Sequence, residues 1–205
     1  MWPKIAFAVF AIILYFLLRA FLKKWKQTQA LDRGGSQAQG EIAARLHSVS
    51  EALGGRLVEG PALETSKGKL ALLATRAPQD PAIDVTKLTI PLQSPYAVTV
   101  IPIEDAAKAL QTKSLHPVDG IDPSVAAAFK VLSSDADFGR RVAVPELVDR
   151  LRELAKVVQA RARLQVAPSG ATVLVERGMT TPKELQGFHD GAALVVEAFR
   201  KLAGG

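Results

Sequence analysis

RLQVAPSGATVLVE (Arg163–Glu176) and, four residues later, TPKELQGFHDGAALVVEAFRKL (Thr181–Leu202) decide the fold class of this chain. In the first stretch, apolar residues alternate on both sides of Ala167-Pro168-Ser169-Gly170. A period of two belongs to a half-buried strand, and Pro and Gly at the second and fourth places suit a type I turn, so Arg163–Val166 and Thr172–Glu176 are predicted to form a hairpin. In the second stretch the period lengthens: Leu185, Phe188, Ala192, Val195, Val196, Phe199 and Leu202 fall on one face of a helix. Thr181-Pro182-Lys183-Glu184 supplies a capping box with proline at the first helical position, and Gly204 ends the pattern. Antiparallel strands followed by an amphipathic helix predict an α+β fold.

Upstream residues extend this pattern. Pro145 opens a helix whose Leu147, Leu151, Leu154 and Val158 share a face as far as about Ala160, and Phe129–Ser133 reads as a short strand running into the polar SSDAD stretch, Ser133–Asp137. Lys87–Leu92 and Tyr96–Ile103 are rich in strand-forming residues, with Gln93-Ser94-Pro95 as the turn between them. Pro91 and Pro102 each lack a ladder donor and belong at an edge or a strand end. Arg56–Glu59 and Lys69–Arg76 are aliphatic and are expected to pair as strands across a Gly/Pro/Ser loop. Glu104–Thr112 is expected to hold one or two helical turns. Ile42, Leu46, Val49 and Leu53 place a helix over Gly40–Leu53, stopped by Gly54-Gly55. Residues 41–205 are therefore expected to form one globular domain of short antiparallel strands packed with amphipathic helices, with no internal repeat.

Ahead of that domain stands IAFAVFAIILYFLLRAFL, Ile5–Leu22. At about 1.5 Å per residue it spans roughly 27 Å, close to the thickness of a bilayer's hydrocarbon core, so a single transmembrane helix is expected over residues 5–22. Arg19 can snorkel to the headgroups, and Trp2 and Trp25 flank the run as interfacial aromatics. A cleavable signal peptide is the competing reading; the positive charge following the run, and the lack of an A-x-A-like site after it, weigh against that. Residues 1–4 become a short N-terminal tail, and residues 23–40 a basic juxtamembrane segment and polar tether holding the domain on the order of 20 Å from the bilayer. Lys23, Lys24, Trp25 and Lys26 are the expected membrane-surface contacts. Their charge, set against the lone Lys4 before the run, places the C-terminal domain in the cytoplasm by the positive-inside rule.

The formal net charge of +6 suggests a nucleic-acid binder until the charges are located. Six of the 26 Lys/Arg and one of the 20 Asp/Glu fall in residues 1–33, leaving twenty against nineteen for the rest. The basic excess belongs to the anchor, its expected partner is the anionic lipid bilayer, and no nucleic acid is expected. The absence of cysteine excludes disulfides and thiol chemistry. No P-loop, dinucleotide fingerprint or metalloprotease motif appears, so neither cofactor nor metal is expected.

Some residues invite sharper readings. Ser133, Ser134, Asp135 and Asp137 could form a catalytic or cation-binding cluster, since neighbouring carboxylates share protons or ligate hard cations; the default for such a run is a strand-to-helix connection whose oxygens cap the backbone N–H groups that follow. His189-Asp190 could be an acid/base pair, yet adjacent helical residues point about 100° apart, which puts His189 at the edge of the apolar stripe and Asp190 away from it. His47 and His116 have no ligand-spaced partners. Ser169 lies in a hairpin turn and reads as a turn residue. Arg140, Arg141, Arg150, Arg152, Lys156, Arg161 and Arg163 gather around the long helix with Glu146, Asp149 and Glu153 interleaved, the pattern of a solvated, salt-bridged face.

Phe129, Val131, Ser133 and Asp135 spell a Phe-x-Val-x-Ser-x-Asp phrase before a long helix, a hairpin and a terminal helix. Over residues 118–202 this order resembles a bacterial family of membrane-anchored domains of unknown function. The resemblance implies a membrane-tethered α+β architecture facing the cytoplasm and carries over no catalytic role. The expected function is an interaction or scaffold module at the membrane surface, with an unidentified protein partner. The alternatives are a membrane-tethered hydrolase using Ser133–Asp137 and a lipid or small-ligand binding domain.

Overall fold

The structure, a computed structural model, describes residues 40–58, 62–74, 83–106 and 114–204. The expected tail and span, and all of the tether but Gly40, with Lys23, Lys24, Trp25 and Lys26, lie outside the described residues; Gly40 already belongs to the first helix. Among the described residues, no helix is long and apolar enough to cross a membrane.

The described strands are β1 (Arg56–Val58), β2 (Ala62–Glu64), β3 (Lys69–Ala74), β4 (Ile83–Pro91), β5 (Val98–Pro102), β6 (His116–Pro117), β7 (Phe129–Ser133), β8 (Ala162–Ala167) and β9 (Gly170–Val175). They form one antiparallel sheet in the order β1-β2-β3-β4-β9-β8-β5-β7-β6. The helices are α1 (residues 40–50), α2 (Pro123–Ala126), α3 (Ala136–Val142), α4 (Pro145–Val158) and α5 (Pro182–Gly204). The α+β expectation holds. Both edge strands are two or three residues long, so they offer little backbone for another chain to pair with.

The hairpin forms as its alternation dictates: Ala162, Leu164 and Val166 of β8 and Ala171, Val173 and Val175 of β9 are buried, with Ala167 opposite Gly170 at the turn. Together with Leu88 and Ile90 of β4 they make the apolar face on which α4 and α5 lie. The two helices approach closely at Gly191, where a Cβ would sit 2.8 Å from Leu154 Cδ1. Ile42, Leu46 and Val49 of α1 complete the same core. The capping box of α5 closes both ways: Glu184 N–H donates to Thr181 Oγ1 (3.3 Å), and Thr181 N–H donates to Glu184 Oε2 (3.1 Å). Pro91 and Pro102 end their strands, as their missing donors require.

Two pairings differ from expectation. Arg56–Val58 and Lys69–Ala74 do not pair with each other; each pairs with β2, which lies in the stretch read as a loop. Three residues, Ala62-Leu63-Glu64, are too few to show a period, although Leu63 is fully buried. Nor does the Gln93-Ser94-Pro95 turn close a hairpin: β4 pairs with β9 and β5 with β8, so the whole β8–β9 hairpin stands between β4 and β5. The Ser94 N–H donates to Pro168 O across the tip of that inserted hairpin (3.2 Å). In the Glu104–Thr112 stretch, a 3-10 turn covers Ile103–Asp105 and residues 107–113 lie outside the described residues.

Candidate functional site

The Ser133–Asp137 stretch is spent on local structure. Asp135 caps α3, its Oδ1 accepting the Phe138 N–H at 2.8 Å. Buried Ser133 donates to Ala97 O (3.2 Å) and accepts the Asp135 N–H, while Ser134 Oγ accepts the Ala97 N–H (3.0 Å). Asp137 is exposed and pairs with Arg140. His116 of β6 stands opposite Ser133 of β7 in register. Among the described residues, no group of three or more His, Asp or Glu is placed to hold a metal ion.

His189 differs from its expected place. It is 3 % exposed, and its ring is bonded at both nitrogens: Nε2 lies 3.0 Å from Thr65 Oγ1 and Nδ1 lies 3.2 Å from Asp190 Oδ1. The Lys67 ammonium, 2.8 Å from the same Oδ1, draws the carboxylate back over the ring, so the adjacent pair meets despite the 100° between their Cβ directions. The hydrogen bond from Lys67, followed by that from His189, holds the Asp190 carboxyl below its ordinary 3.8, against the opposing effect of partial burial. Thr65 is crowded. Its hydroxyl donates to Gly68 O (2.9 Å), and its oxygen faces the Lys67 and Gly68 N–H groups as well as the imidazole. A Thr-His-Asp line of this kind resembles a nucleophile and its base, but an oxygen with four partners has no lone pair left for an electrophile. It ties the β2–β3 turn to α5. Sequence showed His189 at the stripe's edge but could not show Thr65, 124 residues away.

Beside this tie runs a half-open groove of about 660 Å³ between α5 and the β2–β3 turn with the end of β4. Its apolar part includes Ile90, Ala193 and Leu194, the last of these 50 % exposed. Lys67 and Asp190 flank one end and Glu197, Arg200 and Lys201 the other. Lys67 pairs with Asp190 and Lys201 with Glu197, whereas Arg200 forms no ion pair among the described residues.

The arginines around α4 are distributed as a salt-bridged face. Arg150 pairs with Glu153 and Arg152 with Asp149, both three residues apart on the helix, and Arg141 stacks over Phe138 at 5.1 Å. Arg161 and Arg163 instead join a network with Glu104, Asp105 and Glu176, in which Arg163 Nη2 lies 2.7 Å from Glu176 and 3.3 Å from Asp105. These are close ion pairs whose angles miss hydrogen-bond geometry at Nη2. The network pins the Ile103–Asp105 turn to β8.

No protein-family model matches the chain, and no curated protein sequence does. Among solved structures, the crystal structure of the mycobacterial trehalose monomycolate transport factor A, TtfA, is similar at 12 % identity over 78 % of this chain and 93 % of that one, with a TM-score of 0.49. Likeness at that level carries neither activity nor ligand from one chain to the other.

Proposed function

We propose that this chain is a membrane-tethered interaction module: residues 5–22 anchor it, residues 23–40 tether it on the cytoplasmic side, and the α+β domain docks a segment of a protein partner in the α5 groove. The single observation that carries this reading is the groove itself, where a half-exposed leucine lies on α5 beside an arginine that forms no ion pair among the described residues. An open groove with mixed-charge ends suits an extended or helical segment better than an enclosed small molecule, which disfavours the carrier reading. The hydrolase reading loses its residues to capping and turn bonds. The similarity to bacterial membrane-anchored domains, carried by Phe129, Val131, Ser133 and Asp135, supports the same architecture.

Proximity labelling with the full chain in its own cell tests this. Leu194→Asp places a charge at an exposed site, so melting should stay within about 0.5 kcal/mol of the parent. The labelled set should lose specific proteins, while Asp137→Asn should leave it intact. A labelled set unchanged by Leu194→Asp would refute the groove as the docking face. Loss of labelling by Asp137→Asn at unchanged melting would return attention to the acidic stretch.

A further inference from the structure

We propose that the segment docked in the α5 groove is acidic: it lays an apolar side chain over the floor of the groove and presents an aspartate or glutamate side chain to Arg200. The inference rests on the groove reading above and names the chemistry of the partner.

Helical geometry divides the α5 side of the groove into a floor and a rim. At about 100° per residue, Ala193, Val196 and Arg200 fall within about 60° of one another, whereas Asp190, Leu194, Glu197 and Lys201 form the neighbouring stripe. Val196 is buried, as is Ile90 of β4, so the first stripe is the floor, and exposed Arg200 is where that floor changes from apolar to cationic. The rim is neutralised in pairs: Lys67 holds Asp190 at 2.8 Å and Lys201 holds Glu197 at 3.4 Å. Arg200 is left over. Glu197, the carboxylate one turn before it, is taken by Lys201, and the Arg200 guanidinium makes neither ion pair nor hydrogen bond among the described residues.

The groove thus presents three cations, Lys67, Arg200 and Lys201, against two anions, Asp190 and Glu197, and the excess sits at the end of an apolar floor. A guanidinium fork pairs best with a carboxylate, and a neighbouring apolar contact that excludes water strengthens the pair. Arg200 lies seven residues, about 10 Å, beyond Ala193 along the helix axis. The acid of the docked segment therefore stands about 10 Å from its apolar anchor, a spacing of about three residues in an extended chain or about seven in a helix. A bilayer surface fits this arrangement poorly, because its phosphates would meet the Asp190 and Glu197 carboxylates of the rim together with Arg200.

The test uses the full chain in its own cell, with photo-crosslinking p-benzoylphenylalanine replacing Leu194 and sequencing of the crosslinked peptide. Arg200→Glu should lower the protein adduct about tenfold or more, Arg200→Gln should lower it severalfold, and Arg200→Lys should keep most of it. Lys156→Glu makes the same change of charge at an exposed site on α4 outside the groove, and should leave the adduct unchanged. Thermal melting of each variant checks that the fold is kept. The crosslinked segment should carry an acid at the spacing given, and replacing that acid by lysine should restore the adduct to Arg200→Glu. An adduct undiminished by Arg200→Glu, a segment with no acid at that spacing, or an adduct formed only with a second copy of this chain overturns the acidic segment and leaves the groove standing. Absence of any protein adduct from the parent chain overturns both.

Discussion

Gly139, in the first turns of α3, has no room for a side chain: a Cβ there would lie 2.5 Å from Val118 Cγ2 and 2.9 Å from Ser133 Cβ. Gly139→Ala gains up to about 1 kcal/mol of helix propensity, and the forced repacking of buried Val118 and Ser133 outweighs it. A net loss of about 1–2 kcal/mol is expected in denaturant melting of the full chain; equal or higher stability would contradict the packing described. That glycine reads in the sequence only as one letter between Phe138 and Arg140, because its reason is a strand and a loop that arrive from elsewhere. The same holds for His189, whose partner Thr65 lies in a turn the chain reaches 124 residues earlier. Asp135 was legible as a cap because its partner, Phe138, is three residues away.

Elements were legible in proportion to the locality of their signals. The β8–β9 hairpin, α4 and α5 carry period, turn chemistry and caps within their own residues, and they form where those signals put them. The three-residue β2 and the two-residue β6 are defined only by their neighbours. At the start of α5, the Glu184 carboxylate gathers the Thr180 N–H, the Thr181 N–H and hydroxyl, and Arg177. The Thr180 N–H foremost holds its carboxyl below the ordinary 4.5, against an opposing effect of burial. A carboxyl lowered in the folded state contributes stability that is complete above its unfolded value and is lost as the pH falls through its folded one. Glu184→Gln should therefore cost about 0.5–2 kcal/mol near neutral pH, with the gap to the parent shrinking once the pH falls below about 4.5. A gap that is constant from pH 7 to pH 3 would show that the charge plays no part in the cap.

At the scale of the whole molecule, charge and hydropathy set the apolar and basic residues 1–33 apart from a nearly neutral remainder, whereas the sheet order stayed hidden. Inserting β8–β9 between β4 and β5 joins residues 64 to 89 positions apart, from Val100 with Leu164 to Thr86 with Val175, pairings that no local period encodes. The arginines that suggested a basic face are largely answered by carboxylates, and the surface proposed for a partner is the groove on α5. Its most direct test is a photo-crosslinking p-benzoylphenylalanine replacing Leu194 in the full chain, in its own cell, beside a control chain in which it replaces Val157. Val157 is 61 % exposed and lies outside the groove. The account predicts a discrete protein adduct from position 194 and none from 157. Equal adducts at both positions, no protein adduct at 194, or lipid adducts alone would contradict it.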